Sequence, residues 1–294
     1  MRLVTFVHDE TTRAGALSSD GTRVCDLHAR DARLPTDLLT LLQGGEALLD
    51  IAAQVSATVG GPGTYALADV TLKAPLPRPG KIICIGQNYL EHAKESSASR
   101  PPFPIIFAKY ANSVIAHGEP IVVPAAVEKP DYEGELAVVI GRRARNVPEA
   151  EALTYVAGYM PLNDVSARDW QNRTSQWVLG KTVDTFCPMG PALVTADEVA
   201  DPQDLHLRTV IRSAGATDDE VLQSGYTGDM IFSVAHLIAD MTRVMTLEPG
   251  DVIATGTPSG IGAARTPPRW LRAGDVVRVE IDGIGTLANP VICE

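Results

Sequence analysis

No stretch of this sequence is long and apolar enough to read as a membrane span, and the opening residues MRLVTFVHDE lack the apolar core of a secretory signal. A cytoplasmic protein without a membrane partner is the expectation. Dense runs of Lys or Arg are also missing. The nearest, Arg142, Arg143 and Arg145, follows an apolar strand pattern and reads as a solvated turn. With a formal net charge of −11 and no basic face in view, a nucleic-acid partner is not expected. An anionic substrate stays open, because a bound cation inverts the local field. Cysteines are few and scattered (Cys25, Cys84, Cys187 and Cys293), with no CxxC pair, which excludes zinc-cluster and redox-motif readings. Cys84 sits in an apolar run and reads as a small buried hydrophobe. Aromatics make up only 5%, against 25 Gly and 21 Pro, a balance that suits short strands joined by turns better than a helical bundle.

What is present organises the chain. Its 294 residues suffice for one large domain, or a large one and a small one. Residues 1–72 read as a small leading unit: strands over 2–7 and 23–27, a helix over 36–45 with Thr36 as cap, and a second helix over 47–55. The Pro-rich segment 74–81 is the expected boundary, so the second unit runs over 73–294. Strands follow at 81–86, 104–110, 120–124 and 132–141, then a helix-to-strand run over 148–164. Period-two alternation marks a strand at 205–213, and Val234, Leu237, Ile238, Met241 and Val244 or Met245 give a helical face over 233–245. A turn, strand and Gly-rich loop follow at 248–260, then a strand pair at 275–281 and 283–290. Strands and helices do not alternate regularly, so a mixed, mostly antiparallel β architecture with a few covering helices is expected rather than a doubly wound sheet.

The strongest chemical signal is Asp131-Tyr132-Glu133-Gly134-Glu135. Two glutamates two apart on a strand leave the same face and come within reach of one ion. Gly134 between them lets another group approach closely. Side-by-side carboxylates repel, and a cation relieves that repulsion. All-oxygen ligation points to Mg²⁺, Mn²⁺ or Ca²⁺ rather than zinc. The spacing alone equally describes the solvated face of an edge strand, so a third acid is needed. Asp164, at the end of an apolar strand, is the candidate. Three protein carboxylates leave about three positions of an octahedral ion open, enough for a chelating 2-oxo acid.

The second signal is His92 with Glu95, three apart and therefore on one face of a helical turn. A carboxylate beside an imidazole orients it for proton transfer, although a solvated i,i+3 charge pair has the same spacing. The small, polar and Pro-rich segment that follows, SSASRPPFP, reads as a lid.

Together these pieces resemble the fumarylacetoacetate hydrolase family over roughly residues 78–291. The residues that carry the resemblance are KIICIGQNYLEHAKE (81–95), DYEGELAVVIGRRARNV (131–147), YVAGYMPLNDVSARDWQ (155–171), GKTVDTFCPMGP (180–191), LEPGDVIATGTPSGIG (247–262) and GDVVRVEIDGIGTLANPV (274–291). The resemblance implies an α+β, mainly β fold: a mixed β-sandwich or β-roll of the fumarylacetoacetase C-terminal type, with a small N-terminal α+β domain, in a homodimer. It implies that Glu133, Glu135 and Asp164 hold Mg²⁺ or Mn²⁺, with Ca²⁺ able to substitute in a crystal. It implies that His92 and Glu95 are an acid/base pair on a closing lid, with Lys181 near the metal and substrate oxygens. Arg168, Gln171 and Thr255 match positions that contact or frame substrate in relatives. A structural ion pair for Arg168 and a simple tight turn for Thr255 are the competing readings. The sequence also departs from the commoner pattern. Gly134 replaces an aliphatic residue, Pro161 interrupts the strand before Asp164, and 108–120 with its Tyr110 is unusual. Met160, Trp170 and Trp177 either shape a pocket or belong to the core.

The activity expected first is metal-dependent hydrolytic C–C cleavage of a 2,4-dioxo (acylpyruvate- or fumarylpyruvate-like) acid, with His92 activating water and Lys181 stabilising an oxyanion. The same groups equally serve a 2-oxo-acid decarboxylase or a 2-hydroxydienoate isomerase, since fold and family do not fix function. The partner in each case is a small 2-oxo or β-diketo acid. A non-catalytic metal-binding protein is the reading from another class.

Overall fold

The run Gly134–Ile140 is buried along its whole length, because apolar layers cover both faces of the sheet it lies in. In the computed structural model, which describes residues 1–58, 60–95 and 99–294, Leu136, Val138 and Ile140 point into one core and Ala137 and Val139 into another. That is period-two alternation with both faces apolar.

Among the described residues the large sheet has eleven strands. Its path runs from Thr64–Ala66 through Arg23–Asp26, Thr11–Leu17 and Arg2–His8 to Leu193–Thr195. It continues through Val156–Asn163, Gly134–Ile140, Val252–Ala254 and Ile82–Gly86 to the edge strand Ile105–Lys109. Pairing is antiparallel except between Val252–Ala254 and Ile82–Gly86. A second, five-stranded sheet contains Glu220–Tyr226, His206–Arg212, Val276–Ile281, Gly285–Cys293 and Ile121–Val123. The fold is therefore α+β and mainly β, as expected.

The helix Val234–Thr242 and the second sheet cover one face of the large sheet. Val234, Leu237, Ile238 and Met241 pack with Leu136, Val138, Leu207 and Val279. Full burial of each such side chain contributes about 1.5–3 kcal/mol. Val244, offered as part of the helical face, is 80% exposed, and Met245 takes the packing position instead. The short N-terminal helices cover the other face through Leu38, Leu41 and Leu42. One of them, Leu38–Gln43, is capped by Asp37, whose carboxylate accepts from Thr40 N at 2.8 Å, and not by Thr36. Thr36 instead gives its carbonyl to Ala14 N.

Two further expectations differ from what is found. The strand Thr11–Leu17 was not read in the sequence, because small and polar residues dominate its first half. Pro161 does not interrupt its strand, which runs unbroken over Val156–Asn163. Its carbonyl accepts from Gly190 N, so the missing N–H lies on that same side. On that side the neighbouring strand pairs only with Gly158 and Tyr159, and no ladder bond is lost at Pro161. The Pro-rich segment 74–81 joins parts of one sheet: Arg2–His8 pairs with both Thr71–Lys73 and Leu193–Thr195. No helix among the described residues is long and apolar enough to cross a membrane.

Candidate active site

Register brings the three acids together. Gly134 pairs with Asn163, so the start of one strand lies beside the end of its antiparallel neighbour. Glu133 and Glu135 leave the first strand on one face, and Asp164 follows directly after the second. The junction is pinned by Asp164 N donating to the Glu133 carbonyl at 2.8 Å and by Glu133 N donating to Asn163 Oδ1 at 3.0 Å. One ligand atom from each of Glu133, Glu135 and Asp164 lies within 4.8 Å of the others, and all three residues are buried. Gly134 matters here for space. A Cβ on it would fall 2.2 Å from Thr209 Oγ1, and Gln223 Oε1 accepts the Gly134 N–H at 3.0 Å.

The charges around the three acids are unevenly offset. Lys181 Nζ donates to Glu133 Oε2 at 2.5 Å and to Asp164 Oδ2 at 2.9 Å. Lys109 Nζ donates to Asp164 Oδ1 at 2.6 Å. Arg168 donates to Glu133 Oε1 at 2.7 Å and to Asp131 Oδ2 at 2.8 Å. Glu135 has no cationic partner among the described residues; its Oε2 accepts only the Gly256 N–H, at 2.8 Å. Burial pushes the Glu133 carboxyl up, but Arg168, Lys181 and His92 outweigh it and hold it well below the usual range. Burial, with the charges of Asp164 and Glu133, pushes Glu135 well above that range. Burial also opposes the charge of Lys181, yet Asp164 and Glu133 hold its ammonium more firmly protonated than usual. Three buried oxygen donors are thus gathered at a single centre, and one of them, Glu135, has no cation of its own. That arrangement fits a hard divalent ion.

His92 and Glu95 lie on the helix Leu90–Glu95, with His92 Nδ1 2.8 Å from Glu95 Oε1. With Nδ1 so engaged, Nε2 is the ring nitrogen left for chemistry. The helix is anchored by buried Asn88, which donates to the carbonyls of Phe232 and Thr255 and accepts from Phe232 N. Residues 96–98 of the expected lid lie outside the described residues.

The Gly-rich loop does something the sequence reading missed. Its glycine amides each hold one carboxylate: Gly256 N–H reaches Glu135 Oε2, Gly260 N–H reaches Glu95 Oε2 at 2.9 Å, and Gly262 N–H reaches Asp131 Oδ1 at 2.7 Å. Gly256 and Gly260 have φ of 100° and 105°, a region side chains rarely adopt. Thr255, expected to reach the substrate, is not among the residues that line the cavity. Its buried hydroxyl donates to the Leu136 carbonyl at 2.8 Å. Thr257 is the threonine of this loop that lines the cavity.

That cavity has a volume of about 270 Å³. His92, Glu133, Glu135, Arg168, Gln171 and Lys181 all face it. Gln171 Oε1 accepts from Arg168 at 3.0 Å, which leaves the Gln171 amide N–H₂ as its free end. Trp177 lines the cavity too, whereas Met160 is core and the Trp170 indole N–H donates to the Ala126 carbonyl. Two residues escaped the sequence reading. Asp131 belongs to the strongest motif but was given no role; it fixes Arg168. Lys109 was passed over in an apolar strand, and a lone lysine in such a run was the available signal.

A family model described as fumarylacetoacetate (FAA) hydrolase C-terminal matches residues 81–292. The mitochondrial oxaloacetate tautomerase fahd2 of Xenopus laevis is 43% identical, covering 99% of this chain and 90% of the relative. Among solved structures, a fumarylacetoacetate hydrolase from Exiguobacterium antarcticum superposes with a TM-score of 0.84 at 36% identity, covering 100% of both chains. A 5-carboxymethyl-2-hydroxymuconate delta-isomerase from Mycobacterium smegmatis gives 0.78 at 34% identity, also over 100% of both chains. The cytoplasmic expectation is corrected by the relative's name, which is that of a mitochondrial protein. That expectation had rested on a missing apolar leader, and mitochondrial transit segments are amphipathic and Arg-rich instead.

Proposed function

Because the chain belongs to the fumarylacetoacetate hydrolase family, matched over residues 81–292, we propose that it is a divalent-metal-dependent tautomerase or isomerase of a small 2-oxo acid such as oxaloacetate. This replaces hydrolytic C–C cleavage as the leading reading. Support comes from the names of the relatives, which include an oxaloacetate tautomerase and a hydroxymuconate isomerase. The observation that carries the reading is an oriented imidazole facing the same small cavity as Glu133 and Glu135, with Asp164 gathered behind them.

Glu133, Glu135 and Asp164 would hold Mg²⁺ or Mn²⁺. When bound, such an ion supplies Lewis-acid polarisation of the keto oxygen. His92 Nε2 takes a proton from C3 of the keto acid, the C–H electron pair becomes the C2=C3 bond, and the C2 oxygen gains a proton. The reverse sequence restores the keto form. Glu95 stabilises the imidazolium formed in between. Lys181 places positive charge where the C2 oxygen becomes electron-rich. The Gln171 amide N–H₂ donates to the substrate carboxylate.

The test follows enol-oxaloacetate by ultraviolet absorbance with Mg²⁺- or Mn²⁺-loaded protein, with pyruvate release measured in parallel. Accelerated enol–keto exchange without pyruvate is expected. Pyruvate formation would favour a decarboxylase. Hydrolysis is the second reading, favoured by the Exiguobacterium match, and cleavage of an acylpyruvate without enol–keto exchange would establish it.

We also propose a homodimer. The free edge of the large sheet leaves Phe103, Ile106 and Tyr110 exposed, and sedimentation equilibrium at twice the chain mass would support the proposal.

A further inference from the structure

The cavity has an apolar side as well as a charged one. Trp177, Phe107, Ile85 and Ile261 line it opposite in character to the acids and cations. Trp177 lies directly on the backbone of Gly86: a Cβ there would stand 2.6 Å from Cζ3 and 3.1 Å from Cη2 of the indole. Phe107 meets the same indole edge-on, with ring centroids 5.5 Å apart at 70°. The Phe107 ring in turn carries Lys181 Nζ 5.0 Å from its centroid. One aromatic block thus runs from Gly86 to the ammonium that contacts Glu133 and Asp164.

The indole is held firmly. Trp177 immediately precedes the short helix Val178–Lys181, and its carbonyl accepts from Gly180 N at 2.9 Å. Gly86, beneath the ring, ends the strand Ile82–Gly86 and pairs with Ile105. A large ring with few rotatable bonds, seated on backbone and flanked by a second ring, is a rigid wall. The charged groups of the cavity cluster around the three acids, and the aromatic block is its largest apolar surface, available to whatever substrate carries beyond C3.

We propose that Trp177 is a specificity-determining residue whose indole, resting on Gly86, limits the size of the substituent on C3 of the substrate. The inference rests on the 2-oxo-acid reading given above and names the substrate class more narrowly: short acids, with bulky C3 substituents excluded. The cavity volume agrees, since about 270 Å³ falls below the roughly 300–1,000 Å³ usual for ligand pockets.

Two acids that share the head but differ at C3, pyruvate and phenylpyruvate, test this by calorimetric titration of Mn²⁺-loaded protein. Binding is read without turnover. The wild-type protein should prefer pyruvate by about tenfold or more, Trp177→Ala should bring the ratio of the two affinities close to one, and Trp177→Phe should fall between. Thermal melts confirm folding, and Trp177→Phe keeps a ring in place if the alanine variant is unstable. An unchanged ratio in both variants overturns the inference, as does wild-type binding of phenylpyruvate as tightly as pyruvate. Pyruvate binding without enol–keto exchange on oxaloacetate sinks the functional reading alone, and the ratio still decides the role of Trp177. Binding of neither acid overturns both.

Discussion

Gly260 donates its backbone N–H to Glu95 Oε2 at 2.9 Å, while the other oxygen of the same carboxylate meets His92 Nδ1 at 2.8 Å. A loop remote in sequence thereby fixes the orientation of the imidazole. Glu95→Gln keeps the size and loses the charge that favours the imidazolium. It should lower kcat by about 10²–10⁴-fold with little change in Tm. Near-normal kcat in this variant would contradict the assigned pair.

Gly260→Ala tests the loop itself. A Cβ there would fall 2.2 Å from the Leu222 carbonyl oxygen, in a backbone region with φ 105° that alanine resists. The variant should lose about 1–3 kcal/mol of stability and lower kcat by releasing the Glu95 carboxylate. A lowered Tm with unchanged kcat would reduce Gly260 to a purely structural role.

Glu135 is the acid without a cation of its own, which gives metal binding a definite pH dependence. Its carboxyl is raised in the metal-free fold, by burial first and then by Asp164 and Glu133. The folded, metal-free chain therefore holds this proton more tightly than the unfolded chain. The stability involved is present below the unfolded value and is lost as pH rises through the folded one. Metal binding must expel the proton, so affinity should climb with pH across the same window, releasing about one proton per ion at its lower end. Calorimetry in buffers of different ionisation heat counts that proton. Glu135→Gln should weaken metal binding by at least about 100-fold without lowering the metal-free Tm, because the amide imitates the protonated acid. A fall in Tm with intact affinity would refute this.

Asp131 holds Arg168 from behind, and Gly262, Ala263 and Tyr132 donate to the same carboxylate. Asp131→Asn leaves a buried guanidinium partly unpaired, at a cost of about 3–5 kcal/mol in chemical denaturation. Because Arg168 also fixes the Gln171 amide, KM for the 2-oxo acid should rise more than kcat falls. A pure kcat loss would indicate a different role.

The acid spacing at Glu133 and Glu135 was legible because strand periodicity is local: side chains two apart share a face whatever surrounds them. His92 and Glu95 were legible for the corresponding helical reason. The strand over Gly134–Ile140 and the helix over Val234–Thr242 were readable from apolar runs and period. The N-cap at Asp37, the unbroken strand through Pro161 and the placement of Thr255 were not. Each depends on which neighbour lies alongside, and sequence spacing does not record that.

Sequence alone therefore determined the mainly β class, the paired glutamates and the candidate acid/base pair, since these follow from local patterns. Tertiary structure decided which charges oppose which. It placed Lys109 on Asp164 across 55 positions, Lys181 on Glu133 across 48, and glycine amides on three separate carboxylates, leaving Glu135 without a cation. Electrostatic interaction depends on distance in space, and only the folded sheet sets those distances.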